Sequence, residues 1–338
     1  MLDVFKTDAF SIVSLTDAIN NLKFVPGRLG KMGLFQETAI STTTVMIEEN
    51  NGVLKLVAPT PRGAPGTTMD KSKRAARSIV VPHFELNDAV MAEEVQNIRA
   101  FGSETALDSV MAKVAGRMQE LGQSIEATKE YARVGSVIGL ITYADGSTLD
   151  LFSTFGVSQE AEIDFDLDNA TPGEGVLRKK CAQVLRTVAT NLDGTAVSGL
   201  RAICGDAFYD DLIAHKEVRA TYLNQIGASE LRGGYVNAGE SYGSFEFGGI
   251  IWENYRGAVG GTAFVNTDKC HIYPVGVPGL FRTAFAPADY VETVNTLGKP
   301  LYAKQYDMPN GKGVNLDVQA NPLSYCTRPK ALIKGKRT

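Results

Sequence analysis

The sequence predicts an α+β protein, because one long amphipathic helix stands among hairpin-forming strands that follow no regular strand–helix alternation. From about residue 104 to 134, apolar side chains recur at steps of three and four and form a single stripe. Residues 136–152 form a predicted β-hairpin around Asp145 and Gly146. After residue 196, helix and strand patterns mix without the rhythm of repeated βαβ units. The stripe of the helix consists of Leu107, Val110, Val114, Met118, Leu121, Ile125 and Thr128.

The first 85 residues are predicted to be extended segments. Three glycines at 27, 30 and 33 would destabilise a helix, so residues 1–40 are interpreted as an arm, with a frayed terminus as the alternative. Strand-like runs at 43–48 and 53–57 flank a turn signal at 49–52, which predicts a two-stranded excursion over residues 41–85. Prolines and glycines at 59–66 interrupt regular structure. A strand is expected at 78–84.

A basic cluster and an acidic stretch are the candidate interface residues. The basic residues come just before the strand at 78–84, and the aspartates alternate with Phe165 and Leu167. They could pair across a subunit boundary; the alternatives are solvated loops or, for the aspartates, a cation site. The candidate set is Arg62, Lys71, Lys73, Arg74, Arg77, Asp164, Asp166 and Asp168.

The second half of the chain contains two further predicted helices and two clear strands. A helix at 175–192 would turn one apolar face inward, and another is expected at 206–215. Strands are expected at 200–204 and at 245–255, the latter with a glycine break. The inward face of the 175–192 helix is predicted to hold Leu177, Cys181, Val184, Leu185 and Val188.

Composition excludes several classes of protein. The net charge of −4 and pI of 5.6 argue against tight, non-specific wrapping of nucleic acid. The four cysteines are widely spaced, which suits reduced thiols and excludes zinc ribbons. No signal peptide and no membrane span are indicated, so we expect a cytosolic protein.

No catalytic motif occurs in its required context. Residues 239–243 match the G-x-S-x-G pattern around Ser241, but a glycine-rich loop precedes the serine and a strand follows it. Asp268 and His271 lie downstream in the right order for a triad, yet only three residues apart. His83, His215 and His271 have no partners at metal-ligand spacing, and no phosphate-binding loop is present. We therefore expect no enzyme activity, no metal and no cofactor.

Residues 286–329 carry a stretch that resembles the lambda-type phage major capsid proteins, the capsid protein E family. Strand-like aromatic and β-branched residues alternate there with glycine and proline, and no titratable cluster occurs. The resemblance continues in family order through 26–33, the hairpin ending at Arg62 and Gly63, 131–146, 208–222 and 245–255. Together these segments span nearly the whole chain.

The resemblance implies the tailed-phage and herpesvirus (Hong Kong-type) major capsid fold. Its parts would be an N-terminal arm at 1–40, an extended E-loop at 41–85 and a peripheral domain at 86–174. The peripheral domain would include a spine helix at 104–134 and the 136–152 hairpin. An axial domain would follow at 175–300, with a C-terminal return to the peripheral domain at 301–338.

The resemblance also implies a function in building a shell. Many copies would assemble as hexamers and pentamers into an icosahedral shell that encloses double-stranded DNA without reading its sequence. Decoration, scaffolding and portal proteins would be further partners, no membrane would be involved, and assembly would take place in the bacterial host cytoplasm before the chain resides in the virion. The alternatives are an encapsulin-like, non-viral cage and a hydrolase using Ser241.

Overall fold

The computed structural model describes residues 27–50, 74–95, 106–223, 243–259 and 261–338. The helices are α1 Arg28–Lys31, α2 Ala92–Val95, α3 Ala106–Ile138, α4 Leu151–Phe155, α5 Val176–Asn191, α6 Asp206–Ala214 and α7 Lys216–Leu223, with short 3-10 turns at Val291–Thr293 and Pro329–Ala331. The first nine strands are β1 Gln36–Ala39, β2 Thr44–Asn50, β3 Arg74–Val80, β4 Phe84–Met91, β5 Leu140–Thr142, β6 Thr148–Asp150, β7 Ile163–Asp164, β8 Gly199–Cys204 and β9 Ser244–Phe247. The remaining strands are β10 Ile250–Asn254, β11 Ala258–Val259, β12 Thr262–Ala263, β13 Lys269–Val275, β14 Phe281–Phe285, β15 Tyr302–Asp307, β16 Gly313–Ala320, β17 Pro322–Cys326 and β18 Ile333–Lys336.

Helix α3 is the scaffold of the subunit. Its 33 residues make a rod about 50 Å long at ~1.5 Å per residue, and the helix predicted at 104–134 is thereby confirmed, with an end four residues later. Val114, Met118 and Ile125 are buried against the sheet β15-β16-β4. The helix ends at Gly139, whose φ of +90° suits glycine and whose missing side chain leaves room for the ring of Phe152.

Three sheets surround this helix. The largest has the order β7-β18-β13-β8-β10-β9, and two three-stranded sheets have the orders β1-β14-β17 and β15-β16-β4. In the core of the largest sheet, the ring of Phe165 meets those of Phe208 and Trp252 edge to face, with centroids 5.6 and 5.5 Å apart. Strand β18, from the C-terminal segment, pairs with β13, so hydrogen bonding crosses the division predicted at residue 300.

The pairing of the first hairpin differs from the predicted one. The turn was expected to begin at residue 49, but β2 continues through Asn50. It pairs with β3 in a register that runs from Thr44 opposite Val80 to Asn50 opposite Arg74. Arg74 and Arg77 therefore lie in a strand, not in a loop before one. The strand expected at 78–84 is split, because Pro82 lacks an amide hydrogen for the ladder. The strand expected at 53–57 lies outside the described residues.

The 136–152 hairpin is shorter than predicted. Helix α3 continues through residue 138, and residues 151–155 form α4 because the Asp150 side chain accepts a hydrogen bond from the Phe152 amide at 2.9 Å. Of the Asp145–Gly146 pair, only Gly146 takes a positive φ, of +84°. The turn is therefore not the primed two-residue turn that was expected.

The helices at 175–192 and 206–215 are confirmed as α5 and α6, each within a residue of its predicted end. One inward position was wrong: Leu185 is 37% exposed, while Leu177, Cys181 and Val184 are buried. The strand expected at 245–255 is instead a tight hairpin of β9 and β10, in which Gly248 and Gly249 take φ values of +65° and +79°.

Candidate assembly surface

Strands β2 and β3 form a two-stranded ribbon with one anchored face and one open face. Val45 and Ile79 face each other across the register and are buried in the core. The alternation of side chains along a strand puts Met46 and Val80 on the opposite face, where they are 66% and 72% exposed. An isolated two-stranded ribbon is marginal in water, so this ribbon depends on its root and on whatever covers its open face.

Arg77, one of the predicted interface residues, is bound within its own subunit. Its Nη1 donates a hydrogen bond of 2.6 Å to the carbonyl of Thr154, in the last turn of α4. A guanidinium at the C-terminal end of a helix is stabilised by the helix dipole. Its position opposite Ile47 keeps the anchored face of the ribbon against α4. Of the other basic candidates, Arg74 lies opposite Asn50, while Arg62, Lys71 and Lys73 lie outside the described residues.

The acidic stretch also has partners inside the subunit. Asp164 forms an ion pair with Lys336 of β18, at 3.1 Å. Burial raises the pKa of Asp164, but hydrogen bonds from the Asp166 amide and from Lys336 lower it by more, so the pKa lies below its usual value. Asp166 accepts a hydrogen bond from Asn169 and, with a φ of 54°, turns the chain.

Asp164 and Asp166 therefore stabilise the edge of the largest sheet, where β7 pairs with β18. The nearby carboxylate of Glu162 pairs with Lys269 at 2.8 Å and with Lys334 at 3.5 Å. Asp168 is exposed, and its charge helps to raise the pKa of Arg337 after the larger effect of a hydrogen bond to Asp211. Pairing of this stretch with the basic cluster of a neighbouring subunit stays a prediction.

A buried carboxylate attaches α1, which lies within the segment predicted to be an arm, to α3. Glu130 is 4% exposed and accepts hydrogen bonds from the amides of Leu29 and Gly30, at 2.7 and 3.2 Å. The hydroxyl of Tyr255 donates a third bond, of 2.9 Å. A side chain at Gly27 would place its Cβ 2.2 Å from Glu130, so only glycine allows this close approach.

A second buried carboxylate holds the same segment from the other side. Glu253 of β10 accepts from Arg28 at 2.6 Å and from Arg201 at 3.4 Å. Sequence patterns did not identify Glu130 or Glu253 as buried anchoring residues, because no local pattern marks them. Their partners Leu29 and Arg28 lie 101 and 225 residues away along the chain. The short helix α1 is thereby fixed between α3 and the largest sheet.

Asp268 and His271, two of the residues considered for hydrolysis, have separate surroundings in the described structure. The carboxylate of Asp268 is 3.1 Å from the guanidinium of Arg337. His271 is buried in β13, where burial and, secondarily, the charge of Lys334 lower its pKa to about 3. Ser241 lies outside the described residues. Within the described ranges, no group of histidine, cysteine and acidic side chains has the arrangement of a metal site.

A protein-family model for phage major capsid protein E matches residues 11–337. The chain belongs to that family. Its function is that of a phage major capsid protein, a structural subunit of the virion. In the described part of this capsid protein, no helix has the length and apolar character needed to cross a membrane.

Two curated relatives support the assignment. The chain is 28% identical to the major capsid protein of Pseudomonas phage KPP10, over 97% of both chains. It is 23% identical to the major capsid protein of Salmonella phage Felix O1, over 98% of both chains.

Solved structures confirm the predicted fold. The subunit is similar to a putative capsid protein of an Escherichia coli CFT073 prophage, with a TM-score of 0.63 and 16% identity over 97% of this chain and 99% of that one. It is also similar to the capsid structure of cyanophage P-SCSP1u, with a TM-score of 0.52 and 13% identity over 93% and 89% of the two chains. The capsid protein thus has the α+β fold of tailed-phage capsid subunits.

Proposed function

We propose that this capsid protein assembles as hexamers and pentamers into a closed icosahedral shell, in which the E-loop (residues 41–85) of one subunit lies on its neighbour. The observation that carries the proposal is the β2–β3 ribbon at the root of the E-loop. One face is buried through Val45 and Ile79, while Met46 and Val80 on the other face are exposed in the single subunit. A neighbouring subunit would cover this open face.

The physical chemistry of such contacts suits a closed shell. A head-to-tail contact between unlike surfaces forms a ring when the rotation between subunits closes. The shell would enclose double-stranded DNA without sequence-specific binding, as the family resemblance implies, and a net charge of −4 does not favour tight, non-specific wrapping of the polyanion. Pairing of Lys71, Lys73 and Arg74 with an acidic surface of a neighbour would add register between subunits.

The proposal includes the further parts that the family resemblance implies. The arm at 1–40, the peripheral domain at 86–174 and the axial domain at 175–300 would be its units, with the return at 301–338 contributing strands to three sheets. Scaffolding, portal and decoration proteins would act with the shell, and assembly would occur in the host cytoplasm.

Replacement of the E-loop tip tests the proposal. We expect that exchanging residues 52–72 for a short Gly–Ser linker leaves β2 and β3 and the core intact, so circular dichroism and the melting temperature of the subunit stay close to those of the wild type. The same variant should form no closed shells in electron micrographs, whereas wild-type protein purified in parallel should. Normal shells from the variant would show that the E-loop is not the assembly element.

A further inference from the structure

Five large apolar side chains in the described residues are at least 64% exposed, and they occur in two places, the β2–β3 ribbon and the loop between β14 and β15. Met46 and Val80 lie on the open face of the β2–β3 ribbon. Val291, Val294 and Leu297 lie on the loop between β14 and β15, with exposures of 89%, 64% and 65%. We call these last three residues the apolar loop patch. Such a cluster of exposed apolar side chains typically marks a protein contact.

The loop that carries the patch is held in one conformation from within. The Thr293 hydroxyl donates to the carbonyl of Ala288 at 2.6 Å, and the Tyr290 amide donates back to that hydroxyl at 3.3 Å. Asn295 has a φ of +60°, so the backbone reverses in the middle of the patch. These bonds fix the loop before any partner binds.

The same loop is fastened to the outer face of the sheet β15-β16-β4. Lys304 of β15 forms an ion pair with Glu292 at 2.9 Å and lies over the ring of Tyr290, 5.0 Å from its centroid. The amide of Asp289 donates to the Gln319 side chain of β16 at 3.1 Å. With Glu292 neutralised by Lys304, the exposed part of the patch is apolar and not basic, which suits a protein partner and not DNA.

Both ends of the loop are tied to the root of the ribbon. At its end, the Gly298 amide donates to the carbonyl of Ile40, which precedes β2, at 2.9 Å. At its start, the carbonyl of Pro287 accepts from Asn321 at 2.7 Å, and the Asn321 side chain is 2.8 Å from Nδ1 of His83, which follows β3. These hydrogen bonds therefore connect both ends of the loop to the segments that flank the ribbon.

We propose that the apolar loop patch continues the open face of the ribbon as one contact surface, and that a second copy of this chain covers it in the shell. This inference rests on the proposed function, because the ribbon contact is part of that proposal. The continuity of the patch with the ribbon root argues for the same occupant on both. A surface that is rigid before binding loses little conformational entropy on assembly, as a permanent subunit contact requires.

Charge placed in the patch tests the contact. We expect the double variant Val291→Asp/Leu297→Asp to yield folded subunits, since both side chains are exposed, but at least tenfold fewer shells by sedimentation and electron microscopy. The matched control is Leu185→Asp on α5, an exposed leucine outside the patch, which should assemble at close to the wild-type yield. A wild-type yield of shells from the double variant would overturn the inference and leave the proposed function intact. Absence of shells from the wild type would instead contradict the proposed function.

A cysteine probe identifies the occupant. The four native cysteines are buried, so Val294→Cys introduces a thiol at an exposed site. We expect maleimide labelling of residue 294, read by peptide mass spectrometry, to be at least tenfold slower in shells of this protein alone than in unassembled subunits. Equal labelling in both would overturn the proposal. Protection that appears only after a decoration protein is added would also overturn it, because the occupant would then not be a second copy of the chain.

Discussion

Buried charged side chains of this subunit join segments that are far apart in the chain. Glu130 on α3 binds two amides of α1, and Glu253 on β10 binds Arg28. Removing one partner from such a buried site leaves the other charge unpaired, which costs several kcal/mol, whereas the intact site mainly fixes position. These residues therefore fix the position of α1 on the core.

His271 predicts how stability depends on pH. Its pKa is about 3 in the folded subunit and about 6.5 in an unfolded chain, so between these values only the unfolded state binds the proton. Stability conferred by the neutral ring is complete above pH 6.5 and is lost as the pH falls toward 3. We expect His271→Gln to reduce the dependence of the unfolding free energy on pH by up to ~1.4 kcal/mol per pH unit. Urea denaturation of unassembled subunits from pH 7.5 to 4 measures it; parallel pH profiles for wild type and variant would contradict the assignment.

At the scale of elements, α3 contributes side chains to two separate hydrophobic cores. Its early and middle turns pack Val114, Met118 and Ile125 on the sheet β15-β16-β4, and its last turns carry Val134 and Val137 into the main core. The apolar stripe needs both the sheet and the main core to be buried. Helix and sheet are therefore expected to unfold together.

A charge on the buried stripe should unfold the subunit. Met118 is 3% exposed, so we expect Met118→Asp to lower the free energy of unfolding by about 3 kcal/mol or more, through burial of an unpaired carboxylate. The neighbouring Gln119 is exposed, and Gln119→Asp should change the same quantity by less than about 0.5 kcal/mol. Urea titrations followed by circular dichroism compare the two. Equal stabilities would show that this part of the stripe does not face a core.

At the scale of the whole molecule, the basic residues near the ribbon fall into two classes. Arg77 is committed to Thr154 within the subunit, whereas Arg74 lies opposite Asn50 at the far end of the ribbon. An Arg77 substitution is therefore expected to perturb the fold, whereas Lys71, Lys73 and Arg74 stay candidates for the proposed contact between subunits. The basic cluster predicted from the sequence therefore combines residues of both classes.

Charge reversal separates the two classes. We expect Lys71→Glu/Lys73→Glu/Arg74→Glu to assemble poorly at low salt, and its difference from the wild type to narrow as ionic strength rises, because salt screens exposed charges. Arg77→Glu should instead lower the melting temperature of unassembled subunits. Light scattering during assembly from about 20 mM to 500 mM salt follows the first effect. A triple variant that assembles like the wild type at every salt concentration would remove the basic cluster from the interface.

The sequence by itself determined the helices α3, α5 and α6 and the α+β class, because amphipathic periodicity is a local property that each segment carries whatever its neighbours are. The ordered run of segments up to residue 329 was likewise enough to predict the capsid family. Only the tertiary structure decided the pairing of β2 with β3, the bond from Arg77 to Thr154 and the three donors on Glu130. Each of these depends on which distant segment comes within hydrogen-bonding distance, and a strand pattern does not name its partner. The apolar loop patch was hidden for the same reason, since Val291, Val294 and Leu297 have ordinary core chemistry and are exposed only because the loop is fastened by its other side.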